Sequence, residues 1–200
     1  MRLAVLASGQ GSNLRAIYHA IASGKLTDVE ISLVISNNSK SGAIEFARER
    51  GIPSVHISLL VAGDDQTKFE NELLNAFERF HIDLIVLAGY MKLLPDIVIA
   101  KYHKRIINIH PALLPDFGGQ GMYGLHVHRA VLASGNKVSG ATVHFVEHEF
   151  DSGEIILQKK CEVLETDTPE LLSERVRILE HEILPIAIQQ IISISKVINE

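Results

Sequence analysis

Residues 107–115 read INIHPALLP. Asn108 and His110 stand two apart in an apolar run, and Pro111 and Pro115 follow. If the run is a β-strand, residues i and i+2 leave the same face, so the two polar side chains point together from the strand's carboxyl end. Asn offers a neutral N–H donor for a developing oxyanion. His can donate a proton, or carry a positive charge, near neutral pH. A third group should orient the His and set its charge. Asp151, at the apex of EFDSG, is a carboxylate that a turn could deliver, and Glu147 and Glu149 are rivals on the same segment.

A second candidate is SGQGSN at 8–13, between an apolar run and a helical pattern. Backbone N–H groups at a helix start attract phosphate, and glycines let the anion approach. The dinucleotide fingerprint wants a third Gly where Leu14 stands, and an acid that ISNNS does not offer after the second strand. The Gly-Lys-Ser/Thr of a Walker loop is absent too, so a phosphomonoester is the better fit. Other chemistries find less support. There is no G-x-S-x-G elbow. His126 and His128 stand two apart, and on a helix such residues do not face one another. His144 and His148 would share a strand face but lie roughly 13 Å apart at about 3.3 Å per residue. His144 reads as a packed, hydrogen-bonded strand histidine, and no metal site is expected.

Strands and helices must position these groups. RLAVLA (2–7), EISLVIS (30–36), SVHIS (54–58), DLIVLAGY (83–90) and RIINIH (105–110) read as strands. Between the first four lie helical patterns from Asn13 toward Gly24, over 41–51 and over 68–80, the last with Phe69, Leu73 or Leu74, and Phe77 on one face. This alternation predicts an α/β, Rossmann-like open sheet, mostly parallel, with ligands at the strands' carboxyl ends. Then 139–148 and 154–164 read as a hairpin, so the C-terminal part of the sheet should be antiparallel. TPELLSERVRILEHEILP reads as a helix capped by Thr168, with Pro169 in its first position. Residues 111–124 form the one long irregular stretch, a length that is usually functional or mobile. Leu114-Pro115, in a bend just past the fifth strand, is a candidate cis bond, although the base rate for X-Pro is only about 5–6%.

The 200 residues are 46% hydrophobic and 22% charged, enough for a full core in one domain. The net charge is −5 with no Lys/Arg cluster, which argues against a nucleic-acid partner. Cys161 is the one cysteine, which excludes a disulfide framework and fits a reducing cytoplasm. No apolar run is long enough to span a membrane.

Taken together, ASGQGSNL, VLAGYMKLL (86–94), INIHPALLP, GATVHFV (140–146), DSGEIILQ (151–158) and SERVRILEHEILP (173–185) resemble the phosphoribosylglycinamide formyltransferases, folate-dependent enzymes of purine synthesis. The Asn-x-His-Pro plus Asp combination marks a wider formyl-transfer superfamily. The GSN loop and LEHEILP are more specific. The resemblance implies one formyltransferase domain over 1–200, with 1–100 mainly the phosphate- and nucleotide-binding half and 101–200 the catalytic and folate-binding half. It implies Asn108, His110 and Asp151 as the catalytic group, and Gly11, Ser12 and Asn13 as the holder of the substrate phosphate. Met91, Lys92, Leu93 and Leu94, with Asn108, would border the folate. Glu180 would touch glycinamide ribonucleotide, and Arg177, one turn earlier on that helix, would add a cation near its phosphate or ribose. The cosubstrate would be 10-formyltetrahydrofolate, with no permanently bound cofactor and no metal. Partners would be small molecules, and the chain a cytoplasmic monomer or homodimer.

Two features depart from the family pattern. DFGGQGMYG replaces a shorter turn after LLP, and Gln66 stands where some members carry Arg, so no role is assigned to it. The rival readings are formyltetrahydrofolate hydrolase, normally with a regulatory domain, methionyl-tRNA formyltransferase, with an RNA-binding domain, and a non-catalytic phosphate-binding module that would have no use for the Asn, His and Asp together.

Overall fold

The structure, a computed structural model, describes residues 1–199 and the side chains of 1–197. Its strands are β1 (Arg2–Leu6), β2 (Glu30–Ser36), β3 (Ser54–His56), β4 (Leu84–Leu87), β5 (Ile106–His110), β6 (Val138–Phe145) and β7 (Ile155–Glu162). Its helices are α1 (Ser12–Ala22), α2 (Gly42–Glu49), α3 (Gln66–Arg79), α4 (Asp96–Lys101), α5 (Leu125–Ala133) and α6 (Pro169–Asn199). The strands form one sheet in the order β3-β2-β1-β4-β5-β6-β7. β1 pairs in parallel with β2 and β4, β2 pairs in parallel with β3, and β6 pairs antiparallel with β7. The expected α/β sheet with an antiparallel C-terminal part is therefore observed. Contacts divide the chain into two compact units, Met1–Ile107 and Asn108–Glu200.

In the first unit, continuous apolar runs become strands covered on both faces. Leu3–Leu6, Leu33–Ile35 and Leu84–Val86 are all buried, as parallel strands flanked by helices must be. Leu14 and Ile17 of α1, Phe46 of α2, and Phe69, Leu73 and Phe77 of α3 close over them. In the second unit, α6 packs on β6, β7 and α5. Val176, Leu184 and Ile188 of α6 are buried, as are Ala141 and Val143 of β6 and Val127 and Val131 of α5.

Several boundaries differ from the sequence reading. The third strand ends at His56, the fourth at Leu87 and the sixth at Phe145, because turn-forming backbone takes over. Gly89, for example, has φ +80°. His148 is consequently not on a strand. Two helices were not anticipated. α4 is a six-residue apolar run too short to show a period, and α5 follows the irregular 111–124 stretch. The last helix begins as expected, with Leu171 N–H donating to Thr168 Oγ1 at 3.3 Å, but continues through Pro185. Burial of Ala187, Ile188 and Ile192 outweighs the hydrogen bond that the proline cannot make. Leu114-Pro115 is cis, as anticipated.

The β6–β7 hairpin is tight at two glycines. A Cβ at Gly153 would lie 1.8 Å from the Phe145 carbonyl oxygen, and one at Gly140 would lie 2.1 Å from that of Lys159. Backbone atoms cannot yield to such an overlap. Gly153→Ala should therefore lower stability by roughly 2–4 kcal/mol in denaturant titration, while the Ala substitution at Gly24, which meets nothing within 4 Å but has φ +72°, should cost less.

His128 on α5 is 2% exposed, and its Nδ1 has no hydrogen-bond partner among the described residues. Burial, and then the charge of His110, push its pKa down to about 4. The unfolded chain takes up this proton near pH 6.5, whereas the folded protein takes it up only near 4. Stability from this residue is thus complete above pH 6.5 and falls as pH drops through that window. Denaturation midpoints between pH 7.5 and 4.5 should fall less steeply in His128→Leu than in the unaltered protein.

Candidate functional site

Within Asn108–Glu200, β5 presents Asn108 and His110 on one face, as the i, i+2 spacing requires. Both reach the same carboxylate. Asn108 Nδ2 donates to Asp151 Oδ1 at 3.4 Å, and His110 Nδ1 lies 3.5 Å from Asp151 Oδ2. Of the three acids weighed from the sequence, Asp151 provides the carboxylate at this nitrogen. It sits at a turn with φ +54°, a left-handed conformation that Asp tolerates better than most residues. The Gly119 N–H donates to Asp151 Oδ2 at 2.9 Å, so the 111–124 loop closes on the same group.

His144 also belongs to this cluster. Its Nδ1 donates to the Phe145 carbonyl at 2.8 Å, since a carbonyl can only accept. Its Nε2 lies 3.1 Å from Asn108 Nδ2 and 3.5 Å from Asp151 Oδ1. The sequence reading had it as a packed, hydrogen-bonded strand residue. It is both, and it additionally faces the Asn and the Asp. A register shift between Val143 and His144 in the β6–β7 ladder helps re-aim it, a common use of irregular pairing beside a site. The available signal was its place at the end of the strand just before the Asp151 turn.

The charges pull against one another. Burial opposes the charged form of Asp151, but His144, His110 and the Gly119 N–H together hold its carboxyl below the ordinary value. Burial pushes the His110 pKa down, and Asp151 and the Phe117 carbonyl only partly restore it. His110 Nε2 donates to that carbonyl at 2.9 Å. Both ring nitrogens therefore face oxygen, an arrangement that suits the imidazolium, while the dry surroundings oppose it.

Within Met1–Ile107, the 8–13 loop runs from β1 into α1. Gly11 occupies the N-cap with φ 72° and ψ 34°, and a Cβ there would lie 3.0 Å from both Cα and Cβ of Ala43. Left-handed backbone and close approach of α2 both require glycine. Ser12 opens the helix and Asn13 is buried. α2 and α3 are capped by the Ser41 and Asp65 side chains, whereas α1, like α4 and α5, has no side-chain cap hydrogen bond. The positive end of its dipole is thus not offset by one.

In the same unit, Lys92, Leu93 and Leu94 line a cleft of about 900 Å³ together with Asn37, His56, Phe69 and Tyr90. Met91 is exposed beside it and is not part of the lining. Gln66 also lines the cleft, where its Nε2 donates to Glu70 Oε1 at 2.8 Å. On α6, Arg177 is exposed and Glu180 half-buried. Among the described residues, no group of three or more His, Cys, Asp or Glu side chains is arranged to hold a metal ion, and no helix is long and apolar enough to cross a membrane.

Residues 1–188 match the family model described as "Formyl transferase". The chloroplastic phosphoribosylglycinamide formyltransferase of Arabidopsis thaliana is 41% identical over 182 residues, which make up 91% of this chain and 62% of that protein. The chain thus spans less than two thirds of the length of that relative. Escherichia coli phosphoribosylglycinamide formyltransferase is 37% identical over 94% of this chain and 85% of its own length. Among solved structures, glycinamide ribonucleotide transformylase 1 from Symbiobacterium toebii superposes with a TM-score of 0.87 at 39% identity, covering 94% of this chain and 86% of that one. The chain belongs to the formyl transferase family, on its phosphoribosylglycinamide formyltransferase branch.

Proposed function

We propose that the protein transfers the formyl group of 10-formyltetrahydrofolate to the amine of 5'-phosphoribosylglycinamide, a step of de novo purine synthesis, as a cytoplasmic enzyme whose partners are small molecules. The observation that carries this reading is the convergence of Asn108 and His110 on the two oxygens of one buried carboxylate. In this reading, the substrate amine attacks the formyl carbon and a tetrahedral oxyanion forms. Asn108 Nδ2 and protonated His110, through Nε2–H, donate to that oxygen. Asp151 orients His110 and favours its charged form against burial. Through a water it helps move the amine proton to the leaving folate nitrogen, as the carbon–nitrogen bond to the folate breaks.

Gly11, Ser12 and Asn13 take the substrate phosphate at the start of α1, supported by the uncapped helix dipole. Met91, Lys92, Leu93 and Leu94, with Asn108, border the folate, supported by the cleft that three of them line. Arg177 and Glu180 serve the ribonucleotide from α6. The first half of the chain then mainly binds nucleotide and the second half carries the chemistry. A formyl-transfer assay with the two substrates tests the reading. Absence of turnover while both bind would overturn it.

Asp151→Asn keeps the shape and removes the charge. The carboxylate raises the His110 pKa against burial, so its loss should lower that value further. The imidazolium is lost as pH rises through the pKa, and this limb of the kcat profile should therefore move to lower pH. Turnover should fall about a hundredfold or more, with little change in either substrate's affinity, because the loss is felt mainly in the transition state. NMR titration of His110 with steady-state kinetics reads both effects.

Ser12→Asp places a negative charge at the proposed phosphate site. Glycinamide ribonucleotide should bind at least about tenfold more weakly by like-charge repulsion, and the folate nearly as before. Calorimetry showing equal losses for both ligands would count against the assignment.

A further inference from the structure

Ser8 lies just before the proposed phosphate loop, and its contacts run to the segment proposed to border the folate. Its N–H donates to the Gly89 carbonyl at 3.0 Å. Its Oγ accepts from the Met91 N–H at 2.9 Å. One residue therefore holds both sides of Tyr90, whose ring is buried and lines the cleft. The first of these bonds is made by the main chain and any residue could supply it. The second needs a side-chain acceptor of serine's reach. Further along the same loop, the Ala43 N–H donates to the Gly9 carbonyl at 3.2 Å, and Gly11 packs against Ala43. The 8–11 segment is thus braced by α2 on one side and latched to 89–91 on the other.

We propose that Ser8 is a positioning residue that couples the two substrates' sites, so that each ligand tightens the binding of the other. The inference rests on the assignment of 11–13 to phosphate and of 91–94 to folate. A phosphate held by the first turn of α1 fixes the 8–13 loop. Through Ser8 Oγ, the Met91 N–H is then fixed as well, and with it the start of the folate-bordering segment. A ligand arriving second meets backbone that is already ordered and loses less conformational freedom on binding. The coupling is reciprocal, so order of addition does not change its size.

The test uses calorimetry on the whole chain with glycinamide ribonucleotide and a folate analogue that lacks a transferable formyl group. In the unaltered protein, each ligand should improve the dissociation constant of the other about fivefold, the scale of one intramolecular hydrogen bond. In Ser8→Ala, that factor should fall to about one while each ligand alone still binds. Ser8→Thr keeps the hydroxyl and should restore the coupling. Ser8→Cys, a weaker acceptor, should give an intermediate value and serves as well if the alanine variant does not fold. Exchange of the Met91 amide proton should slow when glycinamide ribonucleotide is added to the unaltered protein but not to Ser8→Ala. A purely structural role would weaken both single-ligand affinities and leave the coupling factor unchanged. Retained coupling in Ser8→Ala overturns the proposal, and so does binding of both ligands to the unaltered protein with no coupling. If neither ligand binds the unaltered protein, the functional assignment falls too.

Discussion

A carboxylate that is 11% exposed must find partners or lose its charge, and Asp151 is such a group. It meets Asn108, His110, His144 and the Gly119 N–H. These come from two strands and a loop. β5 must keep its i, i+2 alternation to its last residue, β6 must shift register before His144, and the 146–154 turn must pass close enough to Phe145 that only glycine fits at 153. The local geometry of Asn108–Glu200 is consistent with a single demand, the solvation of one buried anion by protein groups instead of water. Removing any one donor leaves part of that demand unmet, so the members of the cluster should not behave as independent contributors.

The same burial shapes the proposed chemistry. A dry site strengthens each hydrogen bond to a developing oxyanion, but it also opposes the positive charge on His110 that would make the bond strong. Asp151 is the local compromise. It recovers some of what burial takes from His110, and His110 and His144 in turn keep Asp151 ionised.

The sequence was informative wherever one local rule governs. Continuous apolar runs bounded by Gly and Ser became the buried parallel strands, and the Phe69, Leu73, Phe77 stripe became the inner face of α3. Thr168-Pro169 marked a helix start. The two-residue spacing of Asn108 and His110 was enough to place them on one face. What it could not convey depends on tertiary contacts. α4 is too short for a period, the passage of α6 through Pro185 is decided by the apolar residues beyond it, and the aim of His144 follows from a register shift with no distinctive residue type. Residue type and spacing alone could not tell Asp151 from Glu147 and Glu149; the family resemblance pointed to it, and the turn's path brings it to His110. The proposed substrates come from the family resemblance, and no periodicity contains them.

The bond from His110 to the Phe117 carbonyl has a consequence for the free protein. The donor that an incoming oxygen would need is already engaged by the chain's own backbone. In the proposed chemistry a substrate oxygen would therefore not gain a hydrogen bond at this nitrogen, but would exchange one for another. The exchange is favourable only for an oxygen with more negative charge than an amide carbonyl. A neutral formyl oxygen gains little by it, and an oxyanion gains much. On that proposal the Phe117 carbonyl would be an internal reference acceptor, against which the charge of any competing oxygen is measured.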